Sequence, residues 1–154
     1  MVYIRAGRPK NPVLYDSGEQ FQIGGSKVLR RSASDILTIA AAGVTLFEAL
    51  KAHDQLKAAG IAVRVIDLYS IVPIDRTTLL DSARATHGRI LTVEDHYAHG
   101  GLGDAVLSAV GTEGIKVHKL AVRVIPHSGK PEELVDHFGI GARSIVETVK
   151  QIVK

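Results

Sequence analysis

The sequence has no cysteine and no tryptophan, and only seven aromatic residues among 154. The missing cysteines exclude disulfides, thiolate nucleophiles and thiolate-bound zinc. With so few rings, Val, Ile, Leu and Ala must fill any interior. No apolar run approaches the roughly 20 residues of a membrane-spanning helix. The start is basic and carries proline, without the apolar stretch of a secretory signal, so the cytoplasm is the expected compartment. What remains is an ordinary globular mixture, 45% hydrophobic and 23% charged, of a size that suits one core.

The net charge of +3 is unevenly spread. Residues 1–31 hold six basic groups against Asp16 and Glu19, and the rest of the chain is slightly acidic. A nucleic-acid surface would need a denser basic stripe with stacking aromatics. An N-terminal arm facing a partner or an anionic substrate fits the pattern better.

Residues 36–42 (ILTIAAA), 61–66 (IAVRVI), 89–93 (RILTV) and 117–125 (VHKLAVRVI) are apolar runs of strand length. They begin near 36, 62, 89 and 117, at intervals that each hold a strand, a helix and a return. Between them lie helical patterns. One runs through Leu46, Phe47, Leu50 and Leu56, with Thr45 as its expected cap and Gly60 as its stop. A second opens at Pro73 and Asp75 and runs through Leu79, Leu80 and Ala83. A third follows Gly100–Gly103 through Val106 and Val110. The expectation is an α/β fold: three αβα layers around a mostly parallel sheet of about five strands. The fourth run is the least apolar and belongs nearer an edge. Two short helices, residues 131–138 and 142–153, close the chain. Residues 2–6 alternate like a short strand, and residues 13–31 read as extended segments around Gly24 and Gly25.

The stretch richest in chemistry follows the third run: Glu94, Asp95, His96, Tyr97, Ala98, His99, Gly100, Gly101, Leu102 and Gly103. Loops at the carboxyl ends of parallel strands are where α/β sheets build sites. Asp95, His96 and His99 could hold a metal, but no Cys or third His stands nearby. The glycines could present N–H groups to an anion at the helix start. However, Val106 stands where a dinucleotide fingerprint has its third glycine. His96 could pair with Glu94 or Asp95 for proton transfer, yet no nucleophile is identifiable. The plainest expectation is that Asp95 and His96 hydrogen-bond across a packed loop or interface while the glycines turn the chain. A second stretch, His127, Ser128, Gly129, Lys130 and Pro131, is not a P-loop. Val124 replaces the required glycine, and Pro131 replaces Ser or Thr.

Several of these motifs together resemble a known family. Residues 82–97 (SARATHGRILTVEDHY), followed by Gly100, Gly101, Leu102 and Gly103, are similar to the C-terminal domain of transketolases, in particular the animal-type branch. Tyr3-Ile4-Arg5 with Arg8-Pro9, Pro73-Ile74-Asp75-Arg76, and Ser128-Gly129-Lys130-Pro131 fit the same family in the same order. The resemblance implies transfer of a two-carbon ketol unit between sugar phosphates, with thiamine diphosphate and a divalent metal (Mg or Ca) as cofactors of the complete enzyme. It also implies that the cofactor-binding domains and the catalytic glutamate precede this segment. Residues 1–34 would then be the last strand of the pyrimidine-binding domain plus a connector, and residues 35–154 the C-terminal domain. That domain resembles those of thiamine-dependent dehydrogenase components and deoxyxylulose phosphate synthases, and its implied role is packing and dimer assembly.

One site residue is implied by the resemblance. Arg8 matches the arginine that contacts the sugar phosphate, although Lys10 stands where the family carries an acid. Ala98 and His99 also depart from the family pattern. On this expectation the segment binds no cofactor and catalyses nothing alone, and the loop of Asp95, His96, Tyr97, Gly100, Gly101 and Gly103 is an interface. Its partners are the cofactor-binding domains, a second copy of the complete enzyme and a sugar phosphate. A free-standing module binding a small anion or nucleotide at Gly100–Gly103 is the alternative.

Overall fold

The four apolar runs supply the parallel strands of one sheet, the first three of them lying inside it. The computed structural model describes residues 1–4, 7 and 11–154. Its strands are β1 (Lys27–Arg30), β2 (Thr38–Ala41), β3 (Arg64–Asp67), β4 (Arg89–Tyr97) and β5 (Lys116–Val122). They lie in the order β1-β3-β2-β4-β5. β2, β3, β4 and β5 are mutually parallel, and β1 pairs antiparallel to β3.

The helices are α1 (Val44–Ala58), α2 (Arg76–Ala85), α3 (Leu102–Val110), α4 (Pro131–His137) and α5 (Ala142–Ile152). Alternate side chains of each strand feed opposite faces. Leu37, Ile39, Ala41, Val63, Val65, Leu91 and Val93 pack with α1 and α5 through Leu46, Ala49, Leu56, Ile145 and Val149. Ala40, Ile66, Leu68 and Ile90 pack with α2 and α3 through Leu79, Leu80, Ala83, Val106 and Val110. The expected three layers are present.

Several local expectations need correction. Residues 2–4, the described part of the expected strand over residues 2–6, are not part of this sheet, and their side chains stand exposed. Thr45 does not cap α1. The cap position is Gly43, at φ 59° and ψ −132°, a conformation that suits glycine. Thr45 lies one turn position inside, fully buried, and donates its hydroxyl to the carbonyls of Ala42 and Val93 at 2.9 and 2.8 Å. It ties the start of α1 to β4. The fourth run stops at Val122, and Val124 and Ile125 project into solvent. It does form an edge of the sheet. The sheet begins at Lys27, upstream of residue 35.

Residues 15–26 run beside the β3–α2 connection, attached at successive points. The Tyr15 hydroxyl donates to Asp67 at 2.6 Å, the Gly24 N–H to Ser70 Oγ at 2.9 Å, and the Ser26 hydroxyl to Asp75 at 2.9 Å. Phe21 sits edge-on between Tyr15 and Tyr69, with ring centroids 4.9 and 5.0 Å away. Asp75 also caps α2, accepting from the Thr78 N–H. These hydrogen bonds to the ionised form hold its carboxyl below the ordinary 3.8 despite the opposing effect of burial.

Candidate functional site

The chain leaves β2 toward β3 on one side and returns past β2 to β4 on the other. The two directions part between β2 and β4, where doubly wound sheets open a crevice at their carboxyl ends. Here that crevice is about 280 Å³, lined by Ala42, Ile71, Glu94, Asp95, His96 and Gly100–Leu102.

Glu94 organises it. It is 4% exposed, at the end of the apolar part of β4. Its two carboxylate oxygens accept the N–H groups of Leu102 at 2.6 Å and Gly103 at 2.9 Å. These are among the orphan donors of α3, so a buried negative charge meets the positive end of a helix. The glycines make this approach possible. A Cβ on Gly101 would collide with Glu94 Oε2 and lie 2.7 Å from His96 Nδ1. A Cβ on Gly103 would meet the Lys119 stem and, at 2.9 Å, Glu94 Oε1. Gly100 stands at φ +75°, in the left-handed region.

A second clamp closes the loop from outside. Asp104 accepts the Gly100 N–H at 2.7 Å and pairs with Lys119, whose ammonium also donates to the Ala98 carbonyl. Donation from Lys119, and then from Gly100, holds the Asp104 carboxyl below the ordinary 3.8. Ala98 is buried and His99 exposed, so the two residues that depart from the family pattern point in opposite directions.

On this base Asp95, His96 and Tyr97 face solvent. The structure does not join Asp95 to His96. His96 Nδ1 lies 3.0 Å from the Tyr97 carbonyl, to which it can only donate. The pairing of His96 with Asp95 for proton transfer does not form, because consecutive side chains of a strand point to opposite sides. Nor are Asp95, His96 and His99 gathered; among the described residues no group of three His, Cys, Asp or Glu is placed to hold a metal. The anion reading at Gly100–Gly103 meets a direct obstacle, since Glu94 already occupies the Leu102 and Gly103 N–H groups. Glu94 is likewise committed to α3 rather than to His96. Arg8 lies outside the described residues.

The residues that sequence reasoning missed are Lys119, Asp104, Asp67 and Tyr15. Asp67 ends β3 at 5% exposure. Burial, opposed by donation from Tyr15 and then by the charge of Lys27, raises its carboxyl above the ordinary 3.8. Burial and the same hydrogen bond push the Tyr15 hydroxyl well above its usual range. The one signal available for Glu94 was an acid ending an apolar strand just before a glycine-rich helix start. No helix among the described residues is long and apolar enough to cross a membrane.

Comparison with known proteins places this geometry. The family model "Transketolase, C-terminal domain" matches residues 26–145. The chain is similar to transketolase-like protein 2 of Mus musculus, at 53% identity over 99% of this chain and 25% of that protein. It is 51% identical to transketolase of Homo sapiens over 98% of this chain and 24% of that protein. Among solved structures it resembles a split-gene transketolase described as an inactive β4 tetramer. There the TM-score is 0.84 and the identity 38%, over 91% of this chain and 46% of that one. Transketolase from Campylobacter jejuni, at 17% identity and TM-score 0.62 over 83% of this chain and 18% of that one, shares the fold. The chain spans about a quarter of the length of the curated relatives it matches. With a family match across most of its length and half its residues identical to those relatives, the chain belongs to the transketolase family, whose C-terminal domain it carries.

Proposed function

We propose that this chain works as the C-terminal part of a transketolase, packing against the cofactor-binding domains and supporting dimer assembly while the ketol transfer takes place elsewhere. The observation that carries the reading is the β4–α3 loop. Glu94, Asp104 and Lys119 fix its backbone from both sides, and Asp95, His96 and Tyr97 are left on the outside. A rigid loop presenting an aromatic, an imidazole and a carboxylate suits an interface, because little side-chain or backbone freedom remains to be lost on binding. Exposed Val2, Tyr3, Ile4, Val13 and Ile23 add apolar surface that a neighbouring domain would cover.

In the complete enzyme thiamine diphosphate and a divalent metal would supply the carbanion chemistry. The loop described above does not fit the diphosphate, since its helix-start N–H groups at Leu102 and Gly103 are satisfied internally. In this reading the residues ahead of Lys27 belong to a strand and connector of the neighbouring domain, while β1 stays with this sheet. Arg8 contacts the substrate phosphate, as its match to the family arginine implies. The relative described as a split-gene transketolase supports a division into separate polypeptides.

The test is reconstitution. This chain and a cofactor-binding partner polypeptide, produced separately, are expected to form a complex by size-exclusion chromatography and to restore ketol transfer between sugar phosphates. Turnover by this chain alone, or full activity of the partner without it, would refute the proposal.

A further inference from the structure

At the far end of the sheet, the amino ends of β2 and β3, a cleft of about 380 Å³ is lined by Arg30, Arg31, Ser32, Ser34, Asp35, His53, Lys57 and Gly60–Ala62. Three cationic side chains face one carboxylate, and that carboxylate is already engaged. Asp35 is 3% exposed. It accepts the Ser32 N–H and Ser32 hydroxyl, both at 2.7 Å, and approaches Arg64 Nε at 3.5 Å. Its effect is to fold residues 32–35 into a tight turn, which sets the position of Arg31.

Among the described residues Arg30, Arg31 and Lys57 form no ion pair. The carbonyls of Gln55, Leu56 and Lys57 at the end of α1 would repel an anion if left bare, but the N–H groups of Ala59, Gly60 and Ile61 cover them. Asp54, beside the cleft, reports the local field. The hydrogen bond and charge of His53, and after them the charges of Arg30 and Lys57, hold its carboxyl below the ordinary 3.8 against a smaller effect of burial.

We propose that this cleft binds a small, multiply charged phosphate compound, with Arg31 and Lys57 as its principal contacts and Arg30 as a flanking charge. Arginine suits the planar pairs of phosphate oxygens, and lysine adds a mobile point charge. The volume falls within the range of small-molecule sites. The site lies at the opposite end of the sheet from the β4–α3 loop, so it stands or falls independently of the proposed assembly role.

The experiment titrates inorganic pyrophosphate into the isotopically labelled full chain at low salt and follows backbone amide shifts. Saturable shifts confined to residues 30–35 and 53–62 are expected, with a dissociation constant below about 1 mM. Arg31→Ala with Lys57→Ala should weaken binding about tenfold and leave the rest of the spectrum unchanged, because both side chains are exposed. Charge reversal by Arg31→Glu should abolish it. Three results would each overturn the proposal: shifts spread over every basic patch, equal affinity in the variants, or identical shifts and affinity with sulfate at matched ionic strength. So would flotation with phosphatidylserine vesicles that pyrophosphate fails to compete.

Discussion

Replacing Glu94 by Gln isolates what the buried carboxylate does, because the two side chains have nearly the same shape. In the native chain each oxygen accepts one backbone N–H, from Leu102 and from Gly103. The amide keeps one oxygen and turns an NH₂ group toward the other N–H, so donor faces donor. A hydrogen bond to a charged group contributes roughly 1.5–3 kcal/mol, and stranding a buried donor costs about 1–3 kcal/mol more. Favourable interaction of the charge with the α3 dipole is lost as well. We expect a loss of about 3 kcal/mol, which for a domain of this size lowers Tm by roughly 6–12 °C. Urea and thermal unfolding followed by far-UV circular dichroism measure it. Asp95→Asn, one residue away but exposed, serves as the control and should stay within about 0.5 kcal/mol of the parent. If Glu94→Gln unfolds together with that control, Glu94 does not anchor α3 and the account of the loop is wrong.

Gly101→Ala drives a methyl group into Glu94 Oε2 and should destabilise by about 2–3 kcal/mol in the same unfolding assays; Gly18→Ala, with open space around it, should not. The Asp104 carboxyl is held below its ordinary 3.8, so its stabilising effect is complete above that pH and is lost as the pH falls through the lowered value. The urea midpoint of Asp104→Asn should therefore decline less on acidification than that of the parent. Asp67 works in the opposite sense: its raised pKa favours the folded state as the pH falls toward 3.8. Tyr15→Phe removes the donor at 2.6 Å and should raise the Asp67 carboxyl further, measurable by carboxyl-carbon NMR, with faster amide exchange across residues 15–26. In the reconstituted enzyme, Arg8→Ala is expected to raise the KM for sugar phosphates by about 10- to 100-fold with a smaller change in kcat.

The parallel strands were legible because burial on both faces leaves an unbroken apolar run, as in Leu37, Ile39, Ala40 and Ala41, all fully buried. β1 was not. Lys27, Val28, Leu29 and Arg30 form a strand only because β3 offers them partners, and nothing within four residues encodes a pairing 35 to 40 positions away. The β4–α3 loop could be located from the strand it follows, yet its internal wiring could not. Glu94 reaches donors eight and nine residues ahead, and Lys119 closes on Asp104 from a different strand. Such contacts depend on register and curvature, which hydrophobic spacing does not carry. Thr45 shows the same limit: the residue type suits a cap, but the carbonyl of Val93 decided where its hydroxyl went.

Among the described residues, the stretch from Tyr15 to Ser26 is fastened to the rest by a few separated side-chain pegs and one aromatic sandwich, and it contributes no rung to the sheet ladder. Severing the backbone anywhere in that stretch breaks no interstrand bond and opens no part of either apolar layer. A break there would leave the sheet and both apolar layers of this domain whole, with only the pegs to be re-formed.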